Sequence, residues 1–172
     1  MILSRLFIWL ALALGSVTLL SCSSTDDAQR DFEREAFRTP SGITETDASG
    51  NIISSDPDDW RVGPLFAGFV EVQQPAYPNP TTGQIVTIEM LITGLGAVNG
   101  LDVLTLDDRN FFKRLFFDER RPLPVGFTQI IINPVQFAPG GSGTISGARG
   151  LHRVFVFDGR ENLITYGDIR VD

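Results

Sequence analysis

Gln84-Ile85-Val86-Thr87-Ile88-Glu89-Met90-Leu91-Ile92 is the most regular stretch of the chain. Side chains of an extended chain alternate between two faces. Val86, Ile88, Met90 and Ile92 therefore share one face, and Thr87 and Glu89 share the other. A period of two over this length predicts a half-buried β-strand. Upstream, Phe66 to Gln73 alternates more loosely, with Phe66, Gly68, Val70 and Val72 on one face. Downstream, Thr93 to Gly100 reads as a Gly-rich connection. Leu101 to Leu106 and Asn110 to Phe117 then read as a hairpin around Asp107-Asp108-Arg109-Asn110.

Asp118 to Pro124 reads as a charged, Pro-bearing turn. Phe127 to Phe137 reads as one long strand, or as two broken near Asn133-Pro134. Proline cannot donate to a ladder, so this part belongs near a sheet edge or bulge. Ala138 to Gly150 reads as a loop of Gly and Ser. Leu151 to Phe157, a turn at Asp158-Gly159, and Leu163 to Tyr166 complete a last hairpin, which Asp168 to Val171 extends. The expectation is an all-β fold: an antiparallel, immunoglobulin-like β-sandwich of about seven strands over residues 60–172.

The chain has 172 residues, 17 Gly, 10 Pro and 13 Phe, which suits one domain of short strands and aromatic packing. Its formal net charge is -7. The acidity is concentrated between Ser23 and Asp59, and the remainder is close to neutral. A chain with no basic stripe is a poor nucleic-acid binder, because phosphate counterions must be displaced by cations. The single cysteine, Cys22, excludes an internal disulfide and any multi-cysteine metal site.

Residues 1–21 have the three parts of a secretory signal. Arg5 is the positive flank, Leu6 to Leu20 is uncharged, and small and aliphatic residues close the run. At about 1.5 Å per residue the uncharged run spans ~22 Å as a helix, less than the ~30 Å hydrocarbon core. Leu19-Leu20-Ser21-Cys22 resembles the lipobox of bacterial lipoproteins. That resemblance implies acylation of the Cys22 thiol, cleavage before it, and a membrane-anchored mature N-terminus. It also implies a cell-envelope location. Ser23 in place of the aspartate that marks inner-membrane retention in some bacteria favours the outer membrane, on its periplasmic face or at the cell surface.

Residues 22–59 read as an acidic tether. Ser23 to Asp27 is small and acidic like a flexible spacer. Asp27 to Phe37 suits a short helix capped by Asp27, with Phe32 and Ala36 on one face. Ile43 to Ser54 suits a hairpin around Asp47-Ala48-Ser49-Gly50. Asp47, Ser49 and Asn51, and separately Asp56, Asp58 and Asp59, crowd turns as calcium ligands do. The twelve-residue EF-hand spacing is absent, and these residue types are turn formers in their own right.

Tyr77-Pro78-Asn79-Pro80-Thr81-Thr82-Gly83 resembles the opening of the C-terminal sorting domains of type IX secretion cargo, which are small β-sandwiches. Leu101-Asp102-Val103-Leu104 through Asp107-Asp108-Arg109 and Gly150-Leu151-His152-Arg153-Val154-Phe155-Val156 are similar to later strands of that family. Three features depart from it. Only a short segment precedes the motif, the chain ends Arg170-Val171-Asp172, and a lipobox stands at the other terminus. Small uncharacterised outer-membrane lipoproteins share this layout. A purely structural account treats Pro78 and Pro80 as stiffeners of a surface connection and Asn79 as a turn former.

The residues offer little for catalysis. His152 is the sole histidine and falls beside Arg153 in a strand, with no Gly-x-Ser-x-Gly elbow in the chain. Zinc ligands cannot be assembled from one His and one Cys. Asp107/Asp108, Asp118/Glu119 and Asp158/Glu161 are paired carboxylates of the kind glycoside hydrolysis uses, yet all fall in turns. Gly140-Gly141-Ser142-Gly143 lacks the Lys-Ser/Thr ending of a phosphate cradle. Lys113-Arg114 and Arg120-Arg121 read as a solvated face, with an acidic partner or lipid headgroups as the alternative. Phe111, Phe112, Phe116 and Phe117 cannot all be buried by alternation, so the tether or a partner must cover some of them. The expectation is a lipid-anchored envelope protein, not an enzyme, with no cofactor and no catalytic, cofactor-binding or metal residues. Cys22 is its lipidation site and its contact with the membrane, and a further envelope-protein or glycan partner is left unidentified. The alternatives are an accessory or sorting module of type IX secretion and a surface carbohydrate-binding protein.

Overall fold

The computed structural model describes residues 24–141 and 143–172, and residues 1–23, with the expected lipidation site Cys22, lie outside them. The described chain is mostly β, with nine strands in antiparallel sheets. A helix, α1, covers 24–36. The strands are β1 (Glu45–Thr46), β2 (Ile52–Ser54), β3 (Val70–Tyr77), β4 (Val86–Ile92), β5 (Leu101–Leu106), β6 (Phe112–Asp118), β7 (Gly126–Ile132), β8 (Gly150–Asp158) and β9 (Leu163–Val171). A single turn of helix, α2, spans Ile145–Ala148. The sheets run β1-β2, β3-β4-β7 and β6-β5-β8-β9.

The alternation read in β4 is realised: Val86, Ile88, Met90 and Ile92 are all buried. They meet Ile130 and Ile132 of β7, Leu101 and Val103 of β5, and Val154 and Val156 of β8 in one apolar cluster shared by the two larger sheets. Each fully buried aliphatic side chain of this kind contributes about 1.5–3 kcal/mol.

Several local readings are corrected. The strand expected from Phe66 begins at Val70 instead, because Pro64 opens a 3-10 turn over Pro64–Phe66 that turns Phe66 into the core. The second half of Phe127 to Phe137 is not a strand. Asn133 accepts from Val135 N and Gln136 returns to Asn133 N, a capping box that closes a 3-10 turn over Pro134–Phe137. The strand before it, β7, lies at a sheet edge, where a following proline is tolerated. The Gly/Ser loop after Ala138 contains α2, capped by the Thr144 side chain. Asp27 lies inside α1 instead of capping it.

The acidic segment before Trp60 packs along the body. Phe32 and Ala36, on one face of α1 as read, are buried against Phe155, Leu163 and Tyr166. Gln29 donates to Leu163 O and accepts from Leu65 N. Burial in β9 is consequently continuous from Leu163 to Ile169, where alternation alone would leave one face wet. Trp60 follows in the left-handed region (φ 60°) and donates its backbone N–H to Tyr166 O at 2.7 Å. Its indole lies directly on Gly167, where any Cβ would overlap the ring. Gly167→Ala is therefore expected to destabilise the protein by about 2–3 kcal/mol, read as a lower urea midpoint with unchanged slope.

Candidate functional site

The outer face of the four-stranded sheet is set by register. Across β6, β5 and β8, Phe117, Asp102 and Phe157 form one row, and Arg114, Leu104 and Phe155 form the next. Strand β6 carries an irregularity that places Leu115 as an extra residue between Val103↔Phe116 and Leu104↔Arg114. Such a bulge resets alternation. Leu115 and Phe116 can then both pack on the core, while Phe112, Arg114 and Phe117 share the outer face. The bulge answers how four phenylalanines in seven residues are accommodated, and strict alternation could not foresee it.

The segment after α1 covers only part of this face. Phe37 stacks on Phe155 at 5.0 Å and meets Phe112 edge-on at 6.1 Å. Phe112 in turn meets Phe155 and Phe157 edge-on, at 5.7 and 5.9 Å. The tether thus covers some of the aromatic surface, as anticipated. What it leaves open is a cleft of about 600 Å³ lined by Phe37, Leu104, Phe112, Phe117 and Phe157, with Asp102, Arg114, Arg121 and Glu161 among its polar groups. Arg114 makes a fork with Asp102, at 2.6 Å for both bonds, and lies 4.7 Å over the Phe117 ring. The fork holds the guanidinium flat, with the ring on one side. Apolar walls with a few fixed polar groups are the usual composition of a small-ligand site.

The other candidates are engaged within the fold. His152 is half-buried, stacks on Phe137 at 4.5 Å, and contacts Ala148 O through Nε2 at 2.7 Å. It is more enclosed than a residue at the sheet surface, and burial lowers its pKa from the ordinary value. Asp107 and Asp158 accept backbone N–H groups within their own turns. Asp118 pairs with Arg120. Lys113 reaches Ala138 O. Asp47 accepts from Ser49 N and Asn51 N, and Asp56 accepts from Asp58 N. No group of three or more metal-ligating side chains occurs among the described residues.

Three residues have roles that local reading missed. Asn79 is fully buried, not a residue of a surface turn. Its amide donates to Thr44 O and Asp168 O, both at 2.9 Å, and its carbonyl accepts from Arg170 N at 3.0 Å. Its backbone pairs with Thr46. Tyr77-Pro78 and Asn79-Pro80 are both cis peptides. Asp59 is held by backbone donors: its carboxylate accepts from Thr44 N (2.7 Å) and Asp168 N (2.9 Å). Its only advance signal was its place between an acidic run and Trp60. Arg153 forks onto Asp168, at 2.7 Å for both bonds, and donates to Ala36 O and Arg38 O.

No protein-family model matches this chain, and no curated protein matches it either.

Burial, opposed by the Thr44 N–H and reinforced by the Asp168 charge, pushes Asp59 up to about 7. A carboxylate raised on folding favours the folded state most at low pH. Its contribution is lost between the unfolded value near 4 and the folded value near 7. Asp59→Asn removes this dependence. The stability difference between wild type and variant should shift in favour of the variant by on the order of 3 kcal/mol from pH 4 to pH 8, measured by urea unfolding.

Proposed function

We propose that this chain is a lipid-anchored protein of the cell envelope, held in the outer membrane through Cys22. Its body, an immunoglobulin-like β-sandwich, works by binding and not by catalysis. The aromatic cleft on the outer face of β6-β5-β8 carries this reading. It combines ring faces with an Arg114–Asp102 fork that is presented to solvent and already oriented. The Leu19–Cys22 motif supports the attachment, and the shared core of the two larger sheets supports the sandwich. The attachment test is metabolic labelling with palmitate. Label should enter the wild type and not Cys22→Ala, and Cys22→Ala should leave the membrane fraction. Unlabelled wild-type protein removes the anchor.

The cleft favours a saccharide as the bound molecule. Sugar rings offer C–H faces that lie on aromatic side chains, and hydroxyls that a planar carboxylate–guanidinium pair meets two at a time. Phe117→Ala and Arg114→Ala should each reduce binding on a glycan array by about tenfold or more, with the unfolding midpoint little changed, since both side chains are largely exposed. A wild-type protein that retains no glycan would leave the cleft without this role.

A further inference from the structure

A second apolar surface lies at one end of the two-sheet body, the end that the Arg121, Gly159 and Glu161 rim of the cleft also reaches. Leu95 stands on the turn Gly94-Leu95-Gly96 and is 90% exposed. Phe127, at the start of β7, is 72% exposed and pairs in register with Leu91, on the outer face of β4. Val125, Phe69 and Leu65 are also exposed. These residues come from three connections that meet. Thr93 N and Gly94 N both donate to Phe69 O, and Leu123 N donates to Val98 O. Exposed apolar groups clustered this way mark an interaction surface.

The course of α1 identifies what covers it. Gln29 bonds to Leu163 O, Phe32 packs on Tyr166, and the helix end meets Arg153, opposite Asp168. The helix therefore runs parallel to β9, with its first turns at the Leu163 end. That is the end where the exposed connections lie: Leu65 N bonds to Gln29, and the turn after β8 bonds to Asn99 through Gly159. Residues 24–28 carry the helix about 7 Å beyond Gln29. Cys22 stands two residues before Ser24, and two residues span at most ~7 Å of chain.

We propose that the surface formed by Leu65, Phe69, Leu95, Val125 and Phe127 dips into the lipid surface that receives the acyl chains of Cys22. This rests on the lipid-anchor reading above. The acyl chains hold only the N-terminus, and apolar side chains at the same end add a second contact that fixes the body's orientation. The charges near this end show no basic excess, with Asp26, Asp27, Glu71, Asp118, Glu119 and Glu161 against Arg30, Arg120, Arg121 and Arg160. The contact is therefore apolar and requires no anionic lipid. The cleft lies on the outer face of the other sheet, with its Arg121, Gly159 and Glu161 rim at this end and its Phe37 and Phe112 rim farther from it.

The test uses the full processed chain in phosphatidylcholine vesicles. Once Cys22 is acylated, Leu95→Cys supplies the only free thiol for an environment-sensitive fluorophore. Ile53→Cys, on β2 at the opposite end, is an exposed control, at 68% against 90% for Leu95. Nitroxide-bearing acyl chains should quench the probe at position 95 about threefold or more over position 53, in low and high salt alike. Adding Phe127→Glu should bring that quenching down toward the control. Intact mass reports acylation independently. Acylated protein with equal quenching at both positions overturns the proposal and leaves the anchor standing. So does quenching that appears only with anionic lipid and vanishes in salt. An unacylated mass removes the anchor and the proposal together.

Discussion

A guanidinium and a carboxylate buried together constrain most of this structure. Arg153 and Asp168 face each other across β8 and β9, nearly excluded from water. Neither charge is tolerable there alone, because desolvation costs several kcal/mol per ion. The fork satisfies part of each group, and residues distant in sequence satisfy the rest. Arg153 gives both Nη1 donors to Ala36 O and Arg38 O, carbonyls at and just beyond the end of α1, where a cation also meets the favourable end of the helix dipole. The Asp168 backbone is claimed by Asp59 on its N–H and by Asn79 on its carbonyl. One ion pair thus ties the acidic segment, the Tyr77–Gly83 loop and the last strand into a single arrangement. Removing any member would leave a buried polar group unmatched.

That arrangement divides the outer face of the four-stranded sheet. Where α1 and Phe37 lie, Phe155 and Tyr166 are sealed and β9 is buried on both faces. Beyond Phe37 the face is open, and the cleft begins. The division depends on the β6 bulge, without which Phe117 would point to the opposite side from Arg114. The acidic segment therefore acts as a wall of the cleft, since Phe37 lines it.

The sheet elements were legible because each carries its own periodicity. The inward set of β4, the β5-β6 hairpin and the β8-β9 pair all follow from alternation and turn chemistry within a few residues, and from one shared apolar cluster. The α1 face of Phe32 and Ala36 was legible for the same reason. The Pro64–Phe66 and Pro134–Phe137 turns were not, because a short apolar run with proline at its edge suits a 3-10 turn as well as a strand until its packing is known.

Local pattern also fixes the Leu19–Cys22 motif, the single cysteine and the uneven charge, since these are properties of covalent order alone. The cleft, the Asn79 knot and the Arg153–Asp168 pair belong to the folded chain. They join residues far apart in sequence, such as Ala36 and Arg153 or Asp59 and Asp168, and nothing local marks their partners. Asn79 illustrates the difference. In sequence it is a turn former between prolines, and only the closing of β1, β3 and β9 around it makes it a buried amide with its donors and acceptor filled. Hydrogen-bonding capacity is written in the residue type, whereas its satisfaction is set by which distant groups packing brings within reach.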